Sequence, residues 1–243
     1  MIDYHEGFKW LCRFDENDVL CKIAELAKTH YNSNDGHGWD DHIKRTAIIA
    51  EMICNKCNPD LDPMQLAVAV MYHDAALRSH GRPDHEIWSA YMVERELKHM
   101  LDDEAVENIT TAIMDHRNSK KYVRALVYGK AWRNIYSEYL AAADRGVPAT
   151  DIDRIYERAI KTKLNETDDL NEVTMHAYDH IKRKYGQHDD FLPVPYLVAF
   201  RNELDKQREV INTVMIGDVR ELVEKINSNW NRNNQKKSEE SYA

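Results

Sequence analysis

The chain has 243 residues and a formal net charge of −9, length enough for one sizeable hydrophobic core or at most two small ones. Eight glycines and six prolines stand against 31% charged residues, a balance that favours a mainly helical protein. The acidic surplus works against long nucleic acid and anionic membranes as partners, although a local basic pocket can still hold a small phosphorylated ligand. No apolar run approaches the ~18 residues of a membrane span. The first residues lack the basic and apolar regions of a secretory leader, so none is expected. Cys12, Cys21, Cys54 and Cys57 show no disulfide-framework spacing, so a reduced, cytoplasmic protein is expected.

An amphipathic helix is expected over Asp15–Tyr31, with Val19, Ile23, Leu26 and Ala27 on one face, followed by a polar loop over 32–38. A second helix should start at Asp40 or Asp41 and run to about Cys54. Asp62-Pro63 supplies an N-cap and a first-turn proline for a helix that is apolar all round through Leu66–Tyr72, which implies a central, buried position. That helix ends in His73-Asp74, two polar groups that burial obliges to have partners. Asp84 is expected to cap a helix carrying His85 in its first turn, and a helix from about Asp103 should deliver His116 near its end. Residues 121–145 read as one further helix, ending at Asp144-Arg145 with Gly146 as a stop. Helices at 150–163 and 167–185 follow, then a long pattern from Leu197 to about Ile226. The Asn/Lys/Ser/Glu-rich segment 227–243 is expected to be disordered. Asp179-His180-Ile181-Lys182-Arg183 repeats Asp41–Arg45 residue for residue, but no His-Asp pair follows it, so it reads as coincidence.

With twelve histidines in the chain, any single one is more often structural than catalytic. The ordered series His42, His73-Asp74, His85-Glu86, His116 and Asp144 is more specific. It resembles the HD superfamily of metal-dependent phosphohydrolases over roughly residues 35–150. The resemblance implies an all-α fold: a single HD-type helical domain over 1–226, with its motif-bearing core at about 16–185 and the metal site between helix ends. It implies His42, His73, Asp74 and Asp144 as ligands of a primary metal. Asp115 and Asp151 compete with Asp144, because the segment Val127–Arg133 is longer than the family's usual connection. His85 and His116 match extra histidines that either bind a second metal, bridged through Asp74, or contact phosphate and relay protons. His5, His30, His37, His99, His176, His180 and His188 carry no functional expectation, and His80 is a weak candidate.

One or two divalent ions (Mn, Fe, Co, Ni, Zn or Mg) suit such an imidazole–carboxylate set. Asp74 is the first candidate for steering or deprotonating a nucleophilic water. Attack at phosphorus also needs cations on the phosphate oxygens. Arg45, one turn after His42, is the leading candidate, with Arg78, Arg82, Lys120, Lys121 and Arg145 behind it. Lys44 points away from that face. Cys54-Asn-Lys-Cys57 lacks a second ligand pair and reads as incidental. The tryptophans read as packing rather than base-stacking, apart from Trp39, which is placed to line a pocket mouth.

The Gly-Tyr-Pro segment of cyclic-di-GMP phosphodiesterases is absent, and Ala75-Ala-Leu-Arg replaces the Glu-Asp-Thr of guanosine-tetraphosphate hydrolases. The order of residues looks closest to small bacterial and phage HD hydrolases of nucleotides. These include nucleoside-triphosphate pyrophosphatases and dinucleoside-polyphosphate hydrolases. A small phosphorylated nucleotide is therefore the expected substrate. The alternatives are a phosphodiesterase on cyclic nucleotides or nucleic-acid ends, and a non-catalytic metal-binding regulatory module. Nothing in the sequence specifies an oligomeric state.

Overall fold

A computed structural model describes residues 19–31, 37–58, 60–117, 120–185 and 192–240. The described residues are helical throughout, with no strand. The expected helix start at Asp15 and most of the loop over 32–38 lie outside them.

The buried centre is α3 (Pro63–Tyr72). Asp62 caps it by accepting from the Met64 N–H at 2.9 Å, and Pro63 fills the first helical position. Leu66 through Tyr72 are all fully buried, each large side chain contributing roughly 1.5–3 kcal/mol of transfer free energy. Around α3 pack α1 (Val19–Lys28), α2 (Lys44–Cys57), α5 (His85–Leu97), α6 (Asp103–Asp115) and α8 (Ile135–Asp144). The short α4 (Leu77–His80) lies against α5. In α1 the inward face is Leu20, Ile23, Ala24 and Ala27, turned slightly from the expected Val19/Leu26 stripe. Ala141, Ala142 and Ala143 are buried on α8, and their small side chains let that helix approach α2 and α3 closely.

Residues 121–145 form two helices instead of one. Gly129, at φ +71°, ends α7 (Lys121–Tyr128) in the left-handed region, and Asn134 caps α8 by accepting from Ser137 N at 2.8 Å. Gly146, at φ +78°, is the expected stop after Asp144. Asp84 stands at the N-cap of α5, but its side chain accepts no capping bond.

Where one domain through residue 226 is expected, the contact pattern divides the chain into two compact units. The first comprises the described residues to 147 together with 192–199. The second comprises 148–185 and 200–240. The second has its own hydrophobic core, built from Tyr156, Ile160, Val173, Ala177, Ile211 and Val223 among others, on α9 (Ile152–Leu164), α10 (Leu170–Tyr185) and the helices after them. A separate apolar centre is the physical reason for a second unit. The expected pattern 197–226 is two helices, α11 (Val194–Thr213) and α12 (Ile216–Glu240), and α11 breaks its helical dihedrals at Phe200, where the units divide. The backbone expected to be disordered from Asn227 is helical as far as Glu240. That stretch contains no proline or glycine to interrupt it.

Candidate metal centre

Four backbone devices bring the site together. Before α2 the chain makes a π-helical turn, Trp39–Ile43, in which the His42 and Ile43 N–H groups both donate to Gly38 O (2.9 and 3.3 Å). The widened turn directs His42 inward, where it is 4% exposed. At the end of α3 the chain turns through 73–76, and the Ala76 N–H donates to Ser89 Oγ on α5 at 3.0 Å. The first turn of α5 supplies His85. The C-terminal ends of α6 and α8 supply His116 and Asp144.

These ends converge on Asp74, which is 7% exposed. Its Oδ2 lies 3.4 Å from His42 Nε2 and 3.6 Å from His73 Nε2. Its Oδ1 faces His85 Nε2 at 3.0 Å and His116 Nε2 at 3.8 Å. Asp144 Oδ1 sits 3.3 Å from His42 Nε2 and 3.6 Å from His73 Nε2. Ligands each about 2.1 Å from one ion stand roughly 3–4 Å apart, which is the spacing seen here. Two of the ligand groups that result are His42–His73–Asp144 and Asp74–His85–His116. Because the two Asp74 oxygens face opposite groups, the carboxylate stands between them.

The imidazole orientations fit a metal. His73, His85 and His116 each donate from Nδ1–H to a backbone carbonyl, of Val70 (2.8 Å), Arg82 (2.9 Å) and Ile113 (2.6 Å) respectively. With the proton held on Nδ1, each ring presents the Nε2 lone pair to the centre. His85 Nε2 is fully buried and makes no hydrogen bond, although Asp74 Oδ1 is 3.0 Å away. Two acceptor atoms facing each other at that distance need a proton or a cation between them, and a divalent ion would supply the second. His42 is the exception. Its Nδ1 meets Arg45 Nη2 at 3.1 Å, and its Nε2 faces His73 Nε2 at 3.0 Å.

Without an ion, the carboxylates favour protons on most of these rings, and a bound cation would take the place of those protons. Burial opposes charge on His73, but the Asp74 and Asp144 carboxylates outweigh it and raise its pKa to about 9. For His42 and His85 too, burial is outweighed by the neighbouring carboxylates, and both are raised. His116 goes the other way, down to about 4, because burial and the His73 charge both disfavour its imidazolium. Desolvation opposes ionisation of Asp74 and Asp144, yet the surrounding imidazoles hold both well below the usual carboxylate range.

Asp144, not its competitors, reaches this cluster. Asp115 is saturated elsewhere: Arg133 donates to it from Nε and Nη2 (3.0 and 2.9 Å), and the Arg133 N–H and Ser137 Oγ donate to its other oxygen. Asp151 caps α9 in the second unit by accepting from Arg154 N. His37, which carried no functional expectation, lies in the cluster with Nδ1 3.2 Å from Asp74 Oδ2 and forms a third ligand group with His42 and Asp74. Its flanking glycines give no helical period, so spacing could not place it.

The expected cations are dispersed. Arg45 stands behind His42, against the ring edge opposite Nε2, where its contact is with the imidazole. Lys120 pairs with buried Glu86, as does Arg117 at 3.4 Å. Arg117 also donates to the Arg82 and Pro83 carbonyls, a role no sequence signal indicated. Arg145 lies over the Tyr196 ring. Arg82 reaches His37 Nε2 at 3.4 Å, and Arg78 is exposed. Trp39 is buried, with its ring against that of Tyr31. Lys44 pairs with Asp40 on the surface.

Four imidazoles and two carboxylates meeting at helix ends define an all-helical protein with a candidate histidine–carboxylate metal site. The family model for the HD domain matches residues 39–149, a segment that contains all six of these residues. Over that segment the chain is similar to the HD superfamily of metal-dependent phosphohydrolases. Comparisons with curated proteins and with solved structures gave no match. No helix among the described residues is long and apolar enough to cross a membrane.

Proposed function

We propose that this chain hydrolyses a phosphoric ester or anhydride bond in a small nucleotide, using two divalent ions. The observation that carries the reading is Asp74, whose two oxygens each face a separate set of imidazoles. His42, His73 and Asp144 would hold one ion with Asp74 Oδ2, and His85 and His116 the other with Asp74 Oδ1. Mn, Fe, Co, Ni, Zn and Mg remain the candidate ions, with imidazole nitrogen favouring the transition metals over Mg. Bound ions would supply Lewis acidity, both to acidify water and to neutralise charge on phosphoryl oxygens.

The chain's own groups do the rest. The Val70, Arg82 and Ile113 carbonyls hold three imidazoles in the tautomer that leaves Nε2 free. Asp74 stays ionised and can accept a proton from water at its free lone pairs. Arg45 positions His42. Arg82 and Arg78, exposed beside the 73–85 turn, are the cations available to phosphate; Lys120 and Arg117 are engaged by Glu86. The acidic chain favours a compact nucleotide over a polymer. The free thiols of Cys21, Cys54 and Cys57 suit a cytoplasmic setting.

The test is a phosphate-release screen of purified protein loaded with each metal. The panel comprises nucleoside triphosphates, dinucleoside polyphosphates, cyclic nucleotides, single-stranded DNA and inorganic tripolyphosphate. Turnover of small nucleotides that disappears in Asp74→Ala, with helicity retained, is the expected result. Cleavage of DNA or cyclic nucleotides alone transfers the assignment to a phosphodiesterase. Tight metal binding with no turnover transfers it to a regulatory module.

A further inference from the structure

We propose that Trp88 and His80 form a stacking site for the base of the nucleotide whose phosphates lie at the metal centre. The proposal rests on the phosphohydrolase reading above and names the part of the substrate that this surface recognises. The rings of His80 and Trp88 are stacked, with centroids 4.4 Å apart and planes 19° from parallel. Both residues are exposed, Trp88 at 43%. Tyr91 adds its ring nearly perpendicular to Trp88, with centroids 6.2 Å apart. Ile87, Trp88 and Tyr91 are all exposed on α5, so the indole belongs to an apolar patch instead of standing alone.

Placement ties this surface to the site. On α5 the buried residues are His85, Glu86, Ser89, Ala90, Val93 and Leu97, one continuous sector with His85 at its edge. Trp88 lies about 60° round the helix from His85 at 3.6 residues per turn, the first exposed position on that side. Helical side chains lean toward the N-terminus, so the Trp88 indole covers the turn that carries His85. His80 comes from α4, directly after the His73-Asp74 turn, and Ser79 Oγ lies 2.8 Å from its Nδ1. Arg78, two residues earlier, is exposed and has no hydrogen-bond or ion-pair partner among the described residues. A flat aromatic stack and an unpaired guanidinium, on the segment after the His73-Asp74 turn and on the helix that carries His85, match the two ends of a nucleotide. Stacking accepts any base because every base has a π-face, so the site selects for a base without choosing strongly among bases.

The experiment measures binding of AMP and of ribose 5-phosphate, the same phosphate without the base, to metal-loaded full-length protein by calorimetry. Wild type should bind AMP at least about fivefold more tightly, the lower end for stacking of one base. Trp88→Ala should bring that ratio close to one, and Trp88→Phe should keep part of it. His80→Ala, which changes only an exposed side chain, should lower the ratio as well. A wild-type ratio of one overturns the proposal, and so does a ratio unchanged in Trp88→Ala and His80→Ala. The phosphohydrolase reading is scored separately by metal-dependent phosphate release from tripolyphosphate, which has no base.

Discussion

Replacing Asp115 with alanine separates a structural carboxylate from a metal-binding one. Asp115 is almost completely buried and accepts from Arg133 Nε and Nη2, from the Arg133 N–H and from Ser137 Oγ. Buried Arg124 is 3.7 Å away and would be left without its carboxylate. Breaking one side of a buried pair costs about 3–5 kcal/mol, because the remaining charge is stranded. Arg133 is a quarter exposed and can recover some hydration, which puts the loss near 3 kcal/mol. At about 2–4 °C per kcal/mol for a protein of this size, the melting midpoint should fall by about 6–12 °C. Metal content, measured by elemental analysis of the folded variant, should stay at the wild-type value. Asp144→Ala should do the reverse, since that carboxylate is a third exposed and contacts only imidazoles. A melting point within 2 °C of wild type together with lost metal in Asp115→Ala would refute this division of roles.

His85→Ala and His116→Ala should each lower bound metal from two equivalents to one. Unchanged metal in both would assign these residues to phosphate contact or proton relay instead. Arg45→Ala should weaken metal retention during dialysis against a chelator more than it raises KM, because Arg45 contacts His42; the opposite pattern would return it to the phosphate side. Burial raises the Cys54 thiol to about 12, so the folded state holds that proton more tightly than the unfolded chain. The resulting stability is complete below pH 9 and disappears as the pH climbs toward 12. Unfolding midpoints taken across that range should fall for wild type and fall less for Cys54→Ala, whereas parallel curves would contradict the burial of this thiol.

Local chemistry in the sequence located most helices of the first unit and the order of the candidate ligands. Asp62-Pro63 and the unbroken apolar run to Tyr72 mark a central helix, because only a helix buried on all sides can carry no polar face. The series His42, His73-Asp74, His85, His116 and Asp144 is visible as an order of residue types along the chain, and its members stand at or beside helix ends. Other features depended on through-space neighbours. Asp115 and Asp144 both end helices, and only the approach of Arg133, Arg124 and Ser137 removes Asp115 from competition. Arg45 shares a helical face with His42, yet the packing puts it behind the ring. His37 joins the centre from a glycine-flanked segment with no period to report its direction. The single expected domain became two units because periodicity shows that a helix has an apolar face but not which core that face joins. A side chain's partners are fixed by atoms far away in the sequence, and tertiary packing alone brings those atoms within range.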